Sequence, residues 1–309
     1  MSTYTLSRIG YGAQFNELII NNDTITKKSK NEYGNFKINK EIAFFKYLIN
    51  NAITFPIPKI YNFEPNGYTM QYLSDYSPLY TTFPSLSTQK QNELLLKINS
   101  TLDSLHSNTT KSISKNEYTD CLIYETFTKI KERYLQIETI VQQYSFIKRV
   151  NGIEILSLND ILDKIKNKVV NYINNLSSYN ISVIHGDCQF NNILYNQSDD
   201  DIVFIDPRGY FGHLDVFGPA QYDLAKIKFA LSGYDIFDNM EINSVNIDGD
   251  NITIPNIFIT NDTNLFEKDD IVSTLTISIW LGNAHCFKNN IPKAIFSYFY
   301  SIYLATLYL

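Results

Sequence analysis

The residues of this sequence best suited to chemistry lie in one stretch, Val183 to Gly209, which reads VIHGDCQFNNILYNQSDDDIVFIDPRG. Val183-Ile184 is short and apolar and delivers His185-Gly186-Asp187 to a loop. Asn192 follows Asp187 by five positions, and Asp206 follows Asn192 by fourteen. The interval holds an apolar run (Ile193 to Tyr195), a polar turn (Asn196 to Asp201) and a second apolar run (Ile202 to Ile205), the pattern of a β-hairpin. A hairpin brings its ends together, so Asn192 and Asp206 are expected to face one another. An amide oxygen and a carboxylate converging there make a hard-oxygen site suited to Mg²⁺, an ion that keeps waters and completes its shell with substrate phosphates. Asp187 is placed to accept a proton from an attacking hydroxyl.

Short strands crowd the first quarter of the chain, and helical periods dominate afterwards. Asn16 to Ile20 and Thr24 to Lys27 flank Asn21-Asn22-Asp23, residues that tolerate left-handed backbone, and predict a hairpin. Ile38, Ile42, Phe45 and Leu48 or Ile49 then recur at helical spacing from Lys37 until Phe55-Pro56-Ile57-Pro58 breaks the pattern. Lys59 to Phe63 and Tyr68 to Tyr72 are strand candidates around Pro65-Asn66-Gly67, and Ser74-Asp75-Tyr76-Ser77-Pro78 reads as a linker. Further helices are predicted on Leu94, Leu95, Ile98, Leu102 and Leu105, on Phe127, Ile130, Tyr134, Ile137 and Val141, and from Ser157 to Ile173. Others fall around Tyr222 to Leu231, Ile271 to Ala284 and Lys293 to Leu309, with an appended hairpin at Ile242 to Ile254. The expectation is an α+β fold of two unequal lobes.

His-Gly-Asp, Asn at the fifth position and the hairpin ending in Ile205-Asp206 resemble the catalytic and metal loops of the protein-kinase-like fold, in the aminoglycoside phosphotransferase and choline kinase branch. The resemblance covers nearly the whole chain. It implies a small β-rich N-lobe at residues 1–74 that binds nucleotide, and a larger, mostly helical C-lobe at 75–309 with the catalytic loop, metal loop and acceptor-binding helices. The implied reaction moves the γ-phosphoryl group of ATP to a small-molecule hydroxyl, with Asp187 orienting and deprotonating that hydroxyl and Asn192 and Asp206 holding Mg²⁺. Lys27 matches the lysine that pairs the α- and β-phosphates, Lys28 and Lys30 being competitors, and Glu41 falls where its carboxylate partner is expected. Gly10-Tyr11-Gly12 matches the loop over the phosphates. The carbonyl of Gln71 and the N–H of Leu73 match the hinge that receives an adenine edge. Asp206-Pro207-Arg208-Gly209, followed by Tyr222-Asp223-Leu224-Ala225-Lys226, is similar to kinases associated with capsule and surface-polysaccharide loci, and also to the wider aminoglycoside/choline group. Asp223 is expected to cap its helix or tie down the catalytic loop, and Arg208 either to bind the acceptor or to pair with a nearby acid.

Composition limits the alternatives. The 309 residues carry 26 Lys+Arg against 32 Asp+Glu, a net charge of −6 with the bases scattered, which excludes a protein held to nucleic acid mainly by phosphate neutralisation. Hydrophobic residues at 44% against 19% charged mark a globular chain. Three distant cysteines form no disulfide framework, and residues 1–12 lack the pattern of a secretory signal, so a reducing, cytoplasmic setting is expected. The apolar stretch Ala294 to Leu309 is shorter than a membrane span and is expected as a buried helix, without membrane insertion. His106, His213 and His285 lack acids at metal-ligand spacing, and Trp280, Tyr298 and Tyr303 read as core, the resemblance to choline kinases offering as the alternative an aromatic cage for a quaternary ammonium. The expected function is ATP-dependent phosphorylation of a sugar or sugar-like alcohol in surface-glycan metabolism. Its rivals are a choline/ethanolamine kinase, an aminoglycoside phosphotransferase, and a pseudokinase-like binding module.

Overall fold

The computed structural model describes residues 3–5, 14–259, 265–266 and 270–309. The chain divides into two compact units, one of Met1–Lys111 with Asn180–Ala230 and the other of Ser112–Tyr179 with Leu231–Leu309. The division expected at Ser74 falls inside the first of these.

The first unit opens with five antiparallel strands, β1 (Thr3–Thr5), β2 (Asn16–Asn21), β3 (Thr24–Ser29), β4 (Ile60–Glu64) and β5 (Gly67–Gln71), in the order β1-β2-β3-β5-β4. Asn22 takes a φ of 51° in the β2–β3 turn, a left-handed conformation that Asn tolerates. Between β3 and β4 runs helix α1 (Glu32–Asn50), whose start lies ahead of the predicted one because Asn31 caps it, its side chain accepting from the Gly34 N–H at 2.8 Å. Ile38, Phe44 and Phe45 of α1 are fully enclosed, each contributing up to about 2–3 kcal/mol of apolar burial.

The segment read as a linker is part of a second sheet. Its Ser77–Pro78, strand β6, pairs with β8 (Ile193–Asn196), which in turn pairs with β9 (Asp201–Phe204). Helix α2 (Thr88–Ser107), capped by Ser87, buries Leu94, Ile98, Leu102, Leu105 and His106. Strand β7 (Asn180–Val183) pairs antiparallel with Phe217–Gly218, and helix α3 (Gln221–Leu231) follows.

The second unit is built from helices including Lys115–Ile123, Leu158–Asn174, Ile271–Leu281 and Ile291–Tyr308. The single helix predicted on Phe127 to Val141 is broken into Lys129–Leu135 and Glu138–Gln142, preceded by a wider turn at Tyr124–Thr128. The expected appended hairpin, Asn246–Asp248 with Asn251–Thr253, continues into a four-stranded sheet with Arg149–Val150 and Ile153–Glu154. Trp280 is fully enclosed, its indole N–H on Ser232 Oγ at 2.8 Å and its ring edged by Tyr234, Phe237 and Tyr300. No helix among the described residues is long and apolar enough to cross a membrane.

Candidate active site

Strand alternation decides which lysine of β3 turns inward. Lys27 lies opposite Tyr68 of β5 and is 2% exposed, whereas Lys28 reaches outward to Glu64. An ammonium so enclosed requires opposing charge. The Lys27 Nζ donates to both oxygens of Glu41, at 2.9 and 2.8 Å, and pairs with Asp206 Oδ1 at 2.9 Å. Tyr68 adds its hydroxyl to Glu41 Oε2 at 2.7 Å. Burial raises the pKa of Glu41, and the Lys27 charge opposes that rise only in part.

Asp206 reaches Lys27 from the end of β9. Its φ is 55°, in the left-handed region where Asp is among the few residues tolerated. Gly209 (φ 68°) then lets the segment after Asp206 lie against α1, for a Cβ there would come within 2.2 Å of the Lys40 carbonyl. That contact sets the metal-loop segment beside the residue preceding Glu41. Asn192 meets the same place from the start of the hairpin, its carbonyl accepting from the Ile205 N–H at 3.0 Å. The Asn192 side-chain NH₂ is turned to Asp187, donating to its carbonyl at 2.9 Å and its Oδ2 at 3.2 Å.

The catalytic loop hangs on Asp223 of α3. This fully buried carboxylate accepts from the His185 N–H at 3.0 Å, the Gly186 N–H at 2.6 Å and His106 Nε2 at 2.9 Å. Burial raises its pKa, but the hydrogen bond and charge of His106 and the neighbouring donors hold it below the usual carboxylate value. Burial keeps the His185 ring neutral by lowering its pKa. Its Nε2 must donate to the Ile205 carbonyl at 3.0 Å, leaving Nδ1 to accept from the Asp187 N–H at 3.3 Å. One turn along α3 from Asp223, Lys226 places its ammonium 2.8 Å from Asp187 Oδ1. Burial pushes the Asp187 pKa upward, and the Lys226 charge and hydrogen bond outweigh it, so the carboxylate stays ionised below its ordinary value.

Lys27, Glu41, Asp187, Asn192 and Asp206 thus come together in one unit. Arg208 is buried behind the loop. Its backbone N–H donates to the His185 carbonyl at 2.8 Å, and its guanidinium lies over Tyr210 and donates to the Tyr222 hydroxyl at 2.6 Å. At the end of β5 the Gln71 N–H meets the Lys59 carbonyl and the Tyr72 N–H meets the Asp23 carbonyl. Leu73 follows the strand, past its last residue Gln71. Gly10-Tyr11-Gly12 lies outside the described residues. Tyr68, His106 and Lys226 are the participants that sequence reasoning did not assign. The first was detectable in principle from the β3–β5 register, and the others only from tertiary packing.

The arrangement sets a buried lysine shared by two carboxylates beside a loop carboxylate and amide. The sequence profile of the choline/ethanolamine kinase family matches residues 30–208, more than half of the chain, and the chain belongs to that family. It is an ATP-dependent phosphotransferase acting on an alcohol group of a small molecule, with ATP as co-substrate. Two solved structures are similar to it in fold. The gentamicin complex of APH(2")-IIa is 14% identical, with 100% of this chain and 94% of that chain covered and a TM-score of 0.55. A glucosamine kinase in complex with glucosamine, ADP and inorganic phosphate is 10% identical, with 94% and 73% covered and a TM-score of 0.55. The fold is therefore the α+β, kinase-like one, with a sheet-rich N-terminal region and a helical C-terminal part. No curated protein matches the chain in sequence.

Proposed function

We propose that the chain transfers the γ-phosphoryl group of ATP to a hydroxyl of a sugar or sugar-like acceptor, in the cytoplasm, as a step of surface-glycan metabolism. The observation that carries the acceptor class is the charge around Asp187. Lys226 touches it at 2.8 Å, the Lys37 charge adds to the lowering of its pKa, and the Arg208 charge opposes the rise that Asp187 gives the pKa of Lys226. A quaternary ammonium or polyamine acceptor calls for carboxylates and open aromatic faces. The glycan setting rests on the resemblance carried by Asp206 to Gly209 and Tyr222 to Lys226. A sugar acceptor has a counterpart on this fold in the glucosamine kinase.

In this reading residues 1–74 form the nucleotide lobe. Lys27, held by Glu41, meets the α- and β-phosphates, and the Gln71 carbonyl and Leu73 N–H take the adenine edge. Asn192 and Asp206 suit Mg²⁺, since the amide NH₂ is committed to Asp187 and the amide oxygen is the atom left to coordinate. When bound, the ion supplies positive charge against the phosphate oxygens. Asp187, kept ionised, accepts a hydrogen bond from the acceptor hydroxyl and takes its proton as the acceptor oxygen bonds to the γ-phosphorus and the bond from that phosphorus to the β,γ-bridging oxygen breaks, releasing ADP.

The family membership itself favours a second reading, choline or ethanolamine as acceptor. One assay separates the two: ATP consumption measured with monosaccharides, sugar phosphates and sugar acids, against choline, ethanolamine and kanamycin. Turnover that saturates with a sugar or sugar derivative is expected. Saturable turnover with choline at micromolar concentration and none with sugars would overturn the sugar reading, and no turnover with any acceptor would favour a binding module.

A further inference from the structure

The loop between Asp187 and Asn192 reads Cys188-Gln189-Phe190-Asn191 and contains no basic residue. The cation beside Asp187 comes instead from α3. Tyr222, Asp223 and Lys226 lie within one face of that helix, at i, i+1 and i+4, and each grips a different part of the site. The Tyr222 hydroxyl receives Arg208, Asp223 receives the backbone N–H groups of His185 and Gly186, and Lys226 reaches Asp187. Lys226 itself is buried, its ammonium 5.0 Å from the Phe229 ring centre, so the side chain has little freedom. The Asp187 carboxylate is consequently held at both ends, Oδ1 by the ammonium and Oδ2 by the Asn192 amide.

We propose that Lys226 is a positioning residue for phosphoryl transfer: its ammonium, delivered from α3, fixes the Asp187 carboxylate in the orientation that meets the acceptor hydroxyl. The inference rests on the reading of Asp187 as the group that takes the hydroxyl proton. A reacting group held within a narrow range of angles spends more of its time in productive geometry, and the effect appears in kcat rather than in substrate binding. A merely structural lysine has the opposite signature, a lower melting temperature or altered KM with chemistry intact once folded.

The test is steady-state kinetics of Lys226→Met and Lys226→Gln on the full chain with Mg-ATP, following acceptor phosphorylation or, with no acceptor added, ATP hydrolysis. In both variants kcat is expected to fall by about 30–100-fold while KM for Mg-ATP stays within about threefold. Glutamine retains one N–H donor without the charge and decides the matter if the methionine variant does not fold. In Lys226→Ala, added ethylamine is expected to restore kcat about tenfold in a saturable manner, since a small ammonium ion can occupy the vacated space. A folded variant with kcat within threefold of wild type, or a loss that appears wholly in KM and is not restored by ethylamine, overturns the inference. Asp187→Asn run in parallel keeps the two readings apart. If that variant is active, the assignment of Asp187 has failed. If it is inactive while Lys226→Gln is normal, only the role of Lys226 has.

Discussion

Two buried lysines, Lys27 in the first unit and Lys293 in the second, show how the same side chain is put to different use. Lys27 is 2% exposed and Lys293 8%. The ammonium of Lys27 meets two carboxylates, Glu41 and Asp206. Among the described residues that of Lys293 pairs with no carboxylate oxygen and meets the carbonyls of Asp238, at 2.7 Å, and Met240, at 3.1 Å, together with two ring faces. These carbonyls lie at the end of the helix Tyr234–Asn239, where unpaired carbonyls gather and a cation is favourable. Lys293 is therefore a cap, and burial lowers its pKa. Lys27 carries one positive charge between two carboxylates, its three N–H groups shared among both oxygens of Glu41 and one of Asp206. Buried charge alone does not mark a site; the chemistry of its partners does.

The largest effects that sharpen this contrast are catalytic. Asp187→Asn is expected to reduce kcat by at least about 10² with nucleotide binding nearly intact, read by turnover and calorimetry in parallel. Lys27→Met is expected to cost about as much in kcat/KM, whereas Lys28→Ala, whose lysine makes only a surface pair with Glu64, stays within about threefold. If Lys28→Ala proved the more damaging, the inward lysine would not be the phosphate ligand. Asp206→Ala is expected to abolish magnesium-dependent nucleotide binding, and Mg-ATP binding unchanged by calorimetry would put the metal elsewhere.

Lys293→Met tests the other side of the comparison. Two carbonyls lose a charged donor, while the cost of burying the ammonium is relieved, for a net destabilisation of about 1–2 kcal/mol. Turnover at saturating ATP is expected to stay within threefold of wild type. A catalytic loss without a change in urea stability would show that this lysine does more than cap a helix.

What the sequence made legible follows from how local each feature is. Asn192 and Asp206 could be read together because a single hairpin joins them, with Asp187 only five positions before Asn192, and a hairpin's ends meet whatever surrounds it. The choice between Lys27 and Lys28 needed only strand alternation, although the reading left both open. The partner of Asp187 was not legible, because Lys226 reaches it from another element and no periodicity records that. His106 shares Asp223 across 117 positions and had been read only as a core or surface histidine. Tyr68 meets Glu41 across 27 positions, by a register that strand patterns alone do not fix. The start of α1 was misplaced by five residues because hydrophobic spacing dominates such readings, while Asn31, the cap, sits outside the apolar repeat. Ser77–Pro78 was read as linker because strand signals need four or more residues, and this pair borrows its strand character from β8.

The smallest expected effect lies in the second unit and concerns pH. His285 donates from Nδ1 to the Gly282 carbonyl at 3.0 Å, and Arg133 donates to the same carbonyl at 2.8 Å. Burial foremost, then the Arg133 charge, push the His285 pKa down from 6.5 to about 3. The folded-state value lies below the unfolded one, so between pH 6.5 and 3 the unfolded chain binds a proton that the folded chain refuses. Stability is therefore undiminished above pH 6.5 and declines as pH falls through that window. Full expression of the shift would amount to about 1.4 kcal/mol per pH unit, and partial solvent access reduces this, so about 1 kcal/mol is expected between pH 7 and 5. Glutamine keeps a donor for Gly282 without a titrating ring. The difference in urea unfolding free energy between pH 7 and 5, followed by fluorescence of Trp280, the only tryptophan and a residue of the same unit, should thus be smaller by about 1 kcal/mol in His285→Gln than in wild type. An equal pH dependence in the two proteins would mean that His285 accepts its proton in the folded state, and that Arg133 moves aside to allow it.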